Sequence, residues 1–289
     1  MPYFYKKKNM KLFAVNSGYF KLDGGAMFGV VPKSIWNKLN PADENNMCNW
    51  AMRCLLIDAG DRKILIDNGL GDKQDEKFFS HYFLNGDDTL EKSLRKHGYG
   101  FDDITDMVLS HLHFDHCGGS IRWNKNRTGY ESAFPNATFW SNAKHWEWAT
   151  KPNKRERASF LKENILPMQE CGKLRFLSEG EELIPGVRMR YANGHTEAMM
   201  LPEITVNGKT IVFAADLIPA AAHVPLPYVM AYDMFPMTTL TEKELFLNDA
   251  VNGDFTLFLE HDPIHECCTV ERTERGFKVK ETFALADRF

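Results

Sequence analysis

Ser110-His111-Leu112-His113-Phe114-Asp115-His116-Cys117-Gly118-Gly119 follows directly on the apolar run Met107-Val108-Leu109. Three histidines and one aspartate occupy the six positions from His111 to His116. Core packing does not ask for such density, because an imidazole or carboxylate buried without a partner is costly. A short apolar run reads as a buried strand, so the cluster sits at a strand end, where loops collect function. We read the stretch as a metal cradle and the strand before it as part of a sheet.

Working outward, three more apolar runs end the same way. Val187-Arg188-Met189-Arg190-Tyr191 leads to Asn193-Gly194-His195-Thr196, Thr210 to Ala215 ends at Asp216, and Phe255 to Glu260 ends at His261. Alternation sends His111 and His113 one way, and the following turn redirects Asp115 and His116. Such a set suits two adjacent ions better than one, and Asp216 has two oxygens with which to bridge them. A histidine and carboxylate set without thiolate points to Zn²⁺ first, with Mn²⁺, Co²⁺ or Fe as further options. Cys117 reads as a small buried residue.

The remaining strands and helices are placed by local signals. Leu12 to Val15 reads as a first strand. Arg53 to Asp58 and Lys63 to Asp67 read as two more around the turn Ala59-Gly60-Asp61-Arg62. Asp67, before Asn68-Gly69, is a turn residue or a functional carboxylate. Asp23 to Gly29 reads as a loop that covers something with apolar surface. Asp87 or Asp88 caps a helix through Lys96, and Ser141 caps one carrying His145, a surface or packing histidine. Lys154 to Glu163 reads as an exposed charged helix. Thr241 opens a helix through Val251 by capping-box spacing. Helices interspersed without strict βαβ alternation favour a layered α/β architecture on mixed sheets.

The chain has 289 residues with 44% hydrophobic and 26% charged, the balance of a globular protein with ample core. A net charge of −4 gives no reason to expect nucleic acid. No apolar stretch is long enough for a membrane span, and the basic N-terminus lacks a signal-peptide core. Six irregularly spaced cysteines suggest free thiols in a cytoplasmic protein.

The H-x-H-x-D-H run His111 to His116, Gly194-His195-Thr196, Asp216 and His261, with Ile64-Leu65-Ile66-Asp67-Asn68-Gly69, resembles the metallo-β-lactamase superfamily from about Leu12 to His265. The resemblance implies an αββα sandwich of two mixed β-sheets flanked by helices. It implies one such domain over residues 1–289, with residues 1–10 as a flexible arm. It implies that His111, His113 and His195 hold one metal, Asp115, His116 and His261 the other, with Asp216 bridging. Asp67 then orients a ligand histidine. The activity implied is hydrolysis by a hydroxide shared between two divalent ions, with Asp115 passing a proton to the leaving group.

The long gap from His116 to His195 and the segment Ala215-Asp216-Leu217-Ile218-Pro219 look like the branch of N-acyl-homoserine lactone lactonases and methyl-parathion-hydrolase-like enzymes. Many of those lactonases carry a tyrosine shortly after the bridging aspartate. Leu217, Ile218 and Pro219 stand there in this chain, which leaves His223 as the nearest polar candidate to contact substrate. Met27, Phe28, Val30, Ile218, Val224, Tyr228 and Tyr232 are the expected pocket walls, with no cluster of cations to match an anionic substrate. The reading is a lactonase acting on a neutral, fairly apolar ester in quorum quenching, with no nucleic-acid or membrane partner and room for a homodimer. A phosphotriester or aryl-ester hydrolase and a non-enzymatic metal-binding regulator are the alternatives. His265 carries no assignment.

Overall fold

The computed structural model describes residues 10–289, so nine of the ten residues expected as an N-terminal arm lie outside the described residues. In chain order the first half runs β1 (Lys11–Asp23), α1 (Gly24–Phe28), α2 (Lys33–Trp36), β2 (Met47–Asp58), β3 (Lys63–Ile66), α3 (Glu76–Ser80) and α4 (Leu90–Lys96). Then come β4 (Asp106–Val108), α5 (Phe114–Cys117), the hairpin β5 (Ile121–Trp123) and β6 (Tyr130–Ser132), β7 (Thr138–Ser141), α6 (Ala143–Thr150), α7 (Lys162–Glu170) and β8 (Leu174–Phe176). The second half runs β9 (Glu182–Ile184), β10 (Val187–Ala192), β11 (Met199–Val206), β12 (Lys209–Phe213), α8 (Pro236–Asn252), β13 (Thr256–Phe258), β14 (Cys267–Thr273) and β15 (Gly276–Phe283).

Two mixed sheets result. The first has the order β1-β2-β3-β4-β7-β8, antiparallel up to β3 and parallel beyond it. The second has the order β15-β14-β13-β12-β11-β10-β9, with β12 and β13 its one parallel pair. Alternation along β2 and β3 explains the layering. Leu55, Ile57, Ile64 and Ile66 point into a core shared with Met200, Ile204, Val212 and Phe258 of the second sheet. Cys54, Leu56 and Leu65 point the other way, against Leu94 of α4 and Ile165 and Met168 of α7. Both faces of the first sheet are therefore apolar and both are covered, which is why its strands read as continuous hydrophobic runs. On the far side, Phe246, Leu247 and Ala250 of α8 join the core. The layered α/β architecture with helices outside two mixed sheets is the one expected.

The parallel pairs position the site. Asp67 and Ser110 leave the C-terminal ends of neighbouring β3 and β4, while Asp216 and His261 follow the C-terminal ends of neighbouring β12 and β13. Strand β2 stitches the two rims together: Ala51 N donates to His261 O, Arg53 N to Glu260 O, and the Arg53 guanidinium to Leu259 O and His265 O. Backbone carbonyl is thus the part His265 plays here.

Several local expectations are corrected. Asp23 to Gly29 is a helical turn, with the Asp23 carboxylate accepting from Ala26 N. The cap of α4 is Thr89, and that of α6 is Asn142, whose side chain accepts from His145 N. Helix α8 begins at Pro236, well before Thr241, because proline at the first helical turn lacks only an N–H that would be unpaired anyway. Residues 154–159 form turns before α7, with Glu156 buried among them, and only Lys162 and Glu163 of the expected charged helix are helical, as the start of α7. All six cysteines are free, and Cys117 is buried with its thiol on Leu112 O.

Candidate metal centre

Five imidazoles and two carboxylates meet at the rim between the sheets. In one group, His113 Nδ1 lies 3.0 Å from His111 Nε2 and 3.2 Å from His195 Nε2. Asp216 Oδ2 is 3.1 Å from His195 Nε2 and 3.9 Å from His111 Nε2. In the other, His261 Nε2 lies 3.2 Å from His116 Nε2 and 3.2 Å from Asp216 Oδ1, with Asp115 Oδ2 at 3.8 Å and 3.7 Å from the two rings. The two oxygens of Asp216 therefore face different groups. All seven residues are buried.

These separations suit a small cation. Bonds of about 2.0–2.1 Å at tetrahedral angles hold nitrogen ligands roughly 3.3 Å apart. Asp216 Oδ1, moreover, is buried without a hydrogen-bond donor. Donor atoms of 4.8 Å or less mutual separation make up both groups. The residues present thus fit two metal ions.

Each ring is held by its outward nitrogen, which fixes the tautomer that leaves a lone pair facing the centre. His111 Nδ1 meets Ser110 Oγ at 3.0 Å, and that hydroxyl donates to Asp67 Oδ2. His113 Nε2 meets Glu156 Oε1 at 2.9 Å. His116 Nδ1 lies 3.0 Å from both Asp67 Oδ2 and Glu260 Oε2. His195 Nδ1 meets Asp233 Oδ1 at 2.8 Å, and His261 Nδ1 meets Ala51 O at 2.8 Å. Asp67 adopts a left-handed backbone, φ 57°, a region aspartate tolerates better than most residues. Behind it, a side chain on Gly118 would meet Leu70 O at 2.1 Å, so the glycines closing the cradle let the Asp67 loop reach His116.

The electrostatics favour added positive charge. Burial, with His116 and His113 nearby, holds His111 well below the usual imidazole range. Burial also works against a proton on His116, yet Glu260, Asp216 and Asp115 carry it well above that range. Burial opposes ionisation of Asp216, but His116, His195 and His261 hold its carboxyl well below the ordinary value. Burial raises Glu260 to about 8. For Glu156 burial is outweighed by the His113 hydrogen bond and charge, and its carboxyl falls to about 2.

A cavity of about 440 Å³ opens above the centre, with His113, Asp115, His195, Asp216 and His261 in its lining. Its walls include Leu22, Met27, Phe114, Met230 and Met234, with the phenols of Tyr82 and Tyr232 and the guanidinium of Arg155. Of the expected wall residues, Met27 and Tyr232 are there. Phe28, Ile218 and Val224 are in the core, Val30 is 90% exposed, and Tyr228 packs edge-on against Phe28, so none of these five lines the cavity. Apolar character marked them correctly as packing residues, but the core claimed them.

His223 is likewise displaced from its expected role. Its ring stacks on Phe28 at 4.6 Å, its Nε2 donates to Met27 O, and it is absent from the cavity lining. Burial lowers its pKa to about 3, so it stands as a neutral packing histidine. His145 is buried too. Its Nε2 accepts from Leu112 N and its Nδ1 donates to Glu197 O, which bolts the cradle to the turn carrying His195.

Sequence reasoning missed Ser110, Glu156, Asp233 and Glu260. Glu260, an acid closing an apolar strand directly before His261, carried a usable signal. Glu156 did not, because it sits in the charged run Lys154-Arg155-Glu156-Arg157.

Residues 53–261 match the family model described as the metallo-beta-lactamase superfamily. An N-acyl homoserine lactonase of Bacillus cereus is 29% identical over 198 residues, covering 64% of this chain and 66% of that protein. The chain thus spans just under two thirds of the length of such curated relatives. A probable metal-dependent hydrolase from Staphylococcus aureus superposes with a TM-score of 0.86 at 27% identity, over 96% of this chain and 98% of that one. AidC, a dizinc quorum-quenching lactonase solved with its product, superposes at 0.78 and 22% identity over 96% and 97%, a likeness that bears on the fold.

Proposed function

The chain belongs to the metallo-β-lactamase superfamily, and from that membership we propose that it is a metal-dependent hydrolase that opens N-acyl-homoserine lactones. One observation carries the reading: two ligand groups share the two oxygens of Asp216 on the floor of a largely apolar cavity. His111, His113 and His195 would hold one ion, Asp115, His116 and His261 the other, and Asp216 both. The all-nitrogen-and-oxygen donor set suits Zn²⁺. Bound there, two such ions would supply Lewis acidity toward an ester carbonyl and lower the pKa of water to about 7.

The chain's own groups supply the rest. Burial of the floor removes competing water and strengthens every charge interaction within it. Asp115 lines the cavity, with Oδ2 3.7 Å and 3.8 Å from the His116 and His261 rings, so it is the carboxylate placed to pass a proton to the leaving alkoxide once its hold on the ion loosens. Leu22, Met27, Met230 and Met234 offer apolar surface to an acyl chain, and methionines adapt to chains of different length. Arg155, the one cation among the described lining residues, stands where it can meet an amide carbonyl. The lactonase names of the matched relatives support the choice of lactone over other esters.

The test is turnover of homoserine lactones with graded acyl chains beside paraoxon-like phosphotriesters, on zinc-reconstituted protein. Lactones should be opened far faster. Rapid triester cleavage with inert lactones would replace this reading with the phosphotriesterase one.

A further inference from the structure

Four of the five rings at the centre are held by their own strand ends or by residues close to them, or by the Asp233 loop. His113 is held by Glu156, from the turn between α6 and α7. That carboxylate is 2% exposed, and it is fastened in its own right. Trp148 Nε1 donates to its Oε2 at 2.6 Å and Asn153 Nδ2 at 3.2 Å, while Asn153 Oδ1 accepts from Glu156 N. A buried carboxylate is costly unless paired, and here all its bonds converge on presenting Oε1 to one imidazole.

The same turn grips the neighbourhood at three further points. Ser159 O accepts from Phe114 N, between His113 and Asp115. The Arg155 guanidinium donates to Ala231 O, and Asn153 Nδ2 approaches Met234 Sδ at 3.7 Å. Ala231 and Met234 flank Asp233, the residue that holds His195. One turn therefore contacts the supports of two of the three histidines in the first group and none of those in the second.

We propose that Glu156 is a positioning residue that presets the His111, His113 and His195 position for its metal, and acts on that position selectively. The inference rests on the two-metal reading above. Its carboxylate fixes the His113 tautomer that leaves Nδ1 free and makes the ring a stronger donor. Because Arg155 and Ser159 of the same turn line the cavity, the ion at this position is tied to the wall against which substrate packs.

The experiment is zinc uptake by metal-free protein in competition with a chromophoric chelator, for wild type, Glu156→Gln, Asp67→Asn and the double variant. Wild type should bind two equivalents. Glu156→Gln keeps the shape but not the charge, and should weaken one of them by about 10–100-fold while leaving the other unchanged. Asp67→Asn should weaken chiefly the other, with a smaller loss at the first because Asp67 also holds His111 through Ser110 Oγ, and the double variant should weaken both. Should Glu156→Gln fail to fold by circular dichroism, Trp148→Phe, which removes one holder of Oε2, should weaken the same single equivalent to a smaller degree. Two unchanged affinities in Glu156→Gln, or equal weakening of both, overturns the proposal and leaves the hydrolase reading standing. A wild type that takes up no zinc overturns both.

Discussion

The two halves of the centre are built on different ground. His116 and His261 rest on Asp67, Glu260 and Ala51 O, all of them on or directly after strands β3, β13 and β2. His113 and His195 rest on Glu156 and Asp233, which come from loops that also line the cavity. Asp216 joins the halves, and Ala215 before it has φ 41°, a strained conformation for a residue with a side chain. The difference teaches that one ligand group is anchored chiefly on the sheets, while the other shares its supports with the cavity wall.

The largest effect should come from erasing the distinction. Asp216→Asn takes a charge from both halves, and lactone turnover should fall about a thousandfold, the several kcal/mol that such charge stabilisation supplies. Turnover within tenfold of wild type would show that the halves do not depend on a shared carboxylate. Asp67→Asn should weaken the zinc equivalent at His116 by about 10–100-fold, the one at His111 less, and also lower the thermal midpoint, because Asp67 accepts from Ser110 N and Oγ within the core. A lowered midpoint with both zinc affinities intact would reduce Asp67 to a structural residue.

His223→Ala acts behind the cavity wall at Met27. Losing a ring stacked on Phe28 and facing Trp50 should cost about 1–3 kcal/mol in unfolding free energy, with kcat and zinc uptake little changed. A fall in kcat at full zinc content would bring the imidazole back into the chemistry.

An effect on stability alone concerns Lys243, buried on α8, whose Nζ donates to Pro225 O and Tyr228 O below the wall loop. Burial lowers its pKa from 10.5 to about 7, while Asp233 works to raise it. Between those values the unfolded chain binds the proton and the folded chain does not. Its contribution to stability therefore rises as pH climbs from 7 to 10.5 and is lost below 7. Lys243→Met should flatten the pH dependence of the urea midpoint across that window. An unchanged slope would mean that the amine stays charged in the fold.

The same contrast decides what the sequence could tell. The cradle from His111 to His116 was legible because so dense a run of imidazoles and carboxylate is costly to bury unpaired, and His195, Asp216 and His261 because each closes an apolar run. The strands were legible because both faces of the first sheet are covered. The loop-built half was not. Glu156 hides in a run of charges that composition assigns to solvent, and its burial follows from a tertiary contact with His113 that no local pattern encodes. The cavity walls were misread for the opposite reason: Ile218 and Val224 are apolar because the core needs them, and apolarity alone does not say which side of a loop faces substrate. Thr89 and Asn142 displaced the expected caps by one residue or two, a matter of which side chain reaches the first free N–H.

Calorimetric titration of zinc into the metal-free protein tests the account most directly. Two equivalents per chain, with unequal affinities of which Glu156→Gln shifts one alone and Asp67→Asn chiefly the other, is the predicted result. A single equivalent, or two that respond identically to either substitution, would contradict a centre made of two differently supported halves.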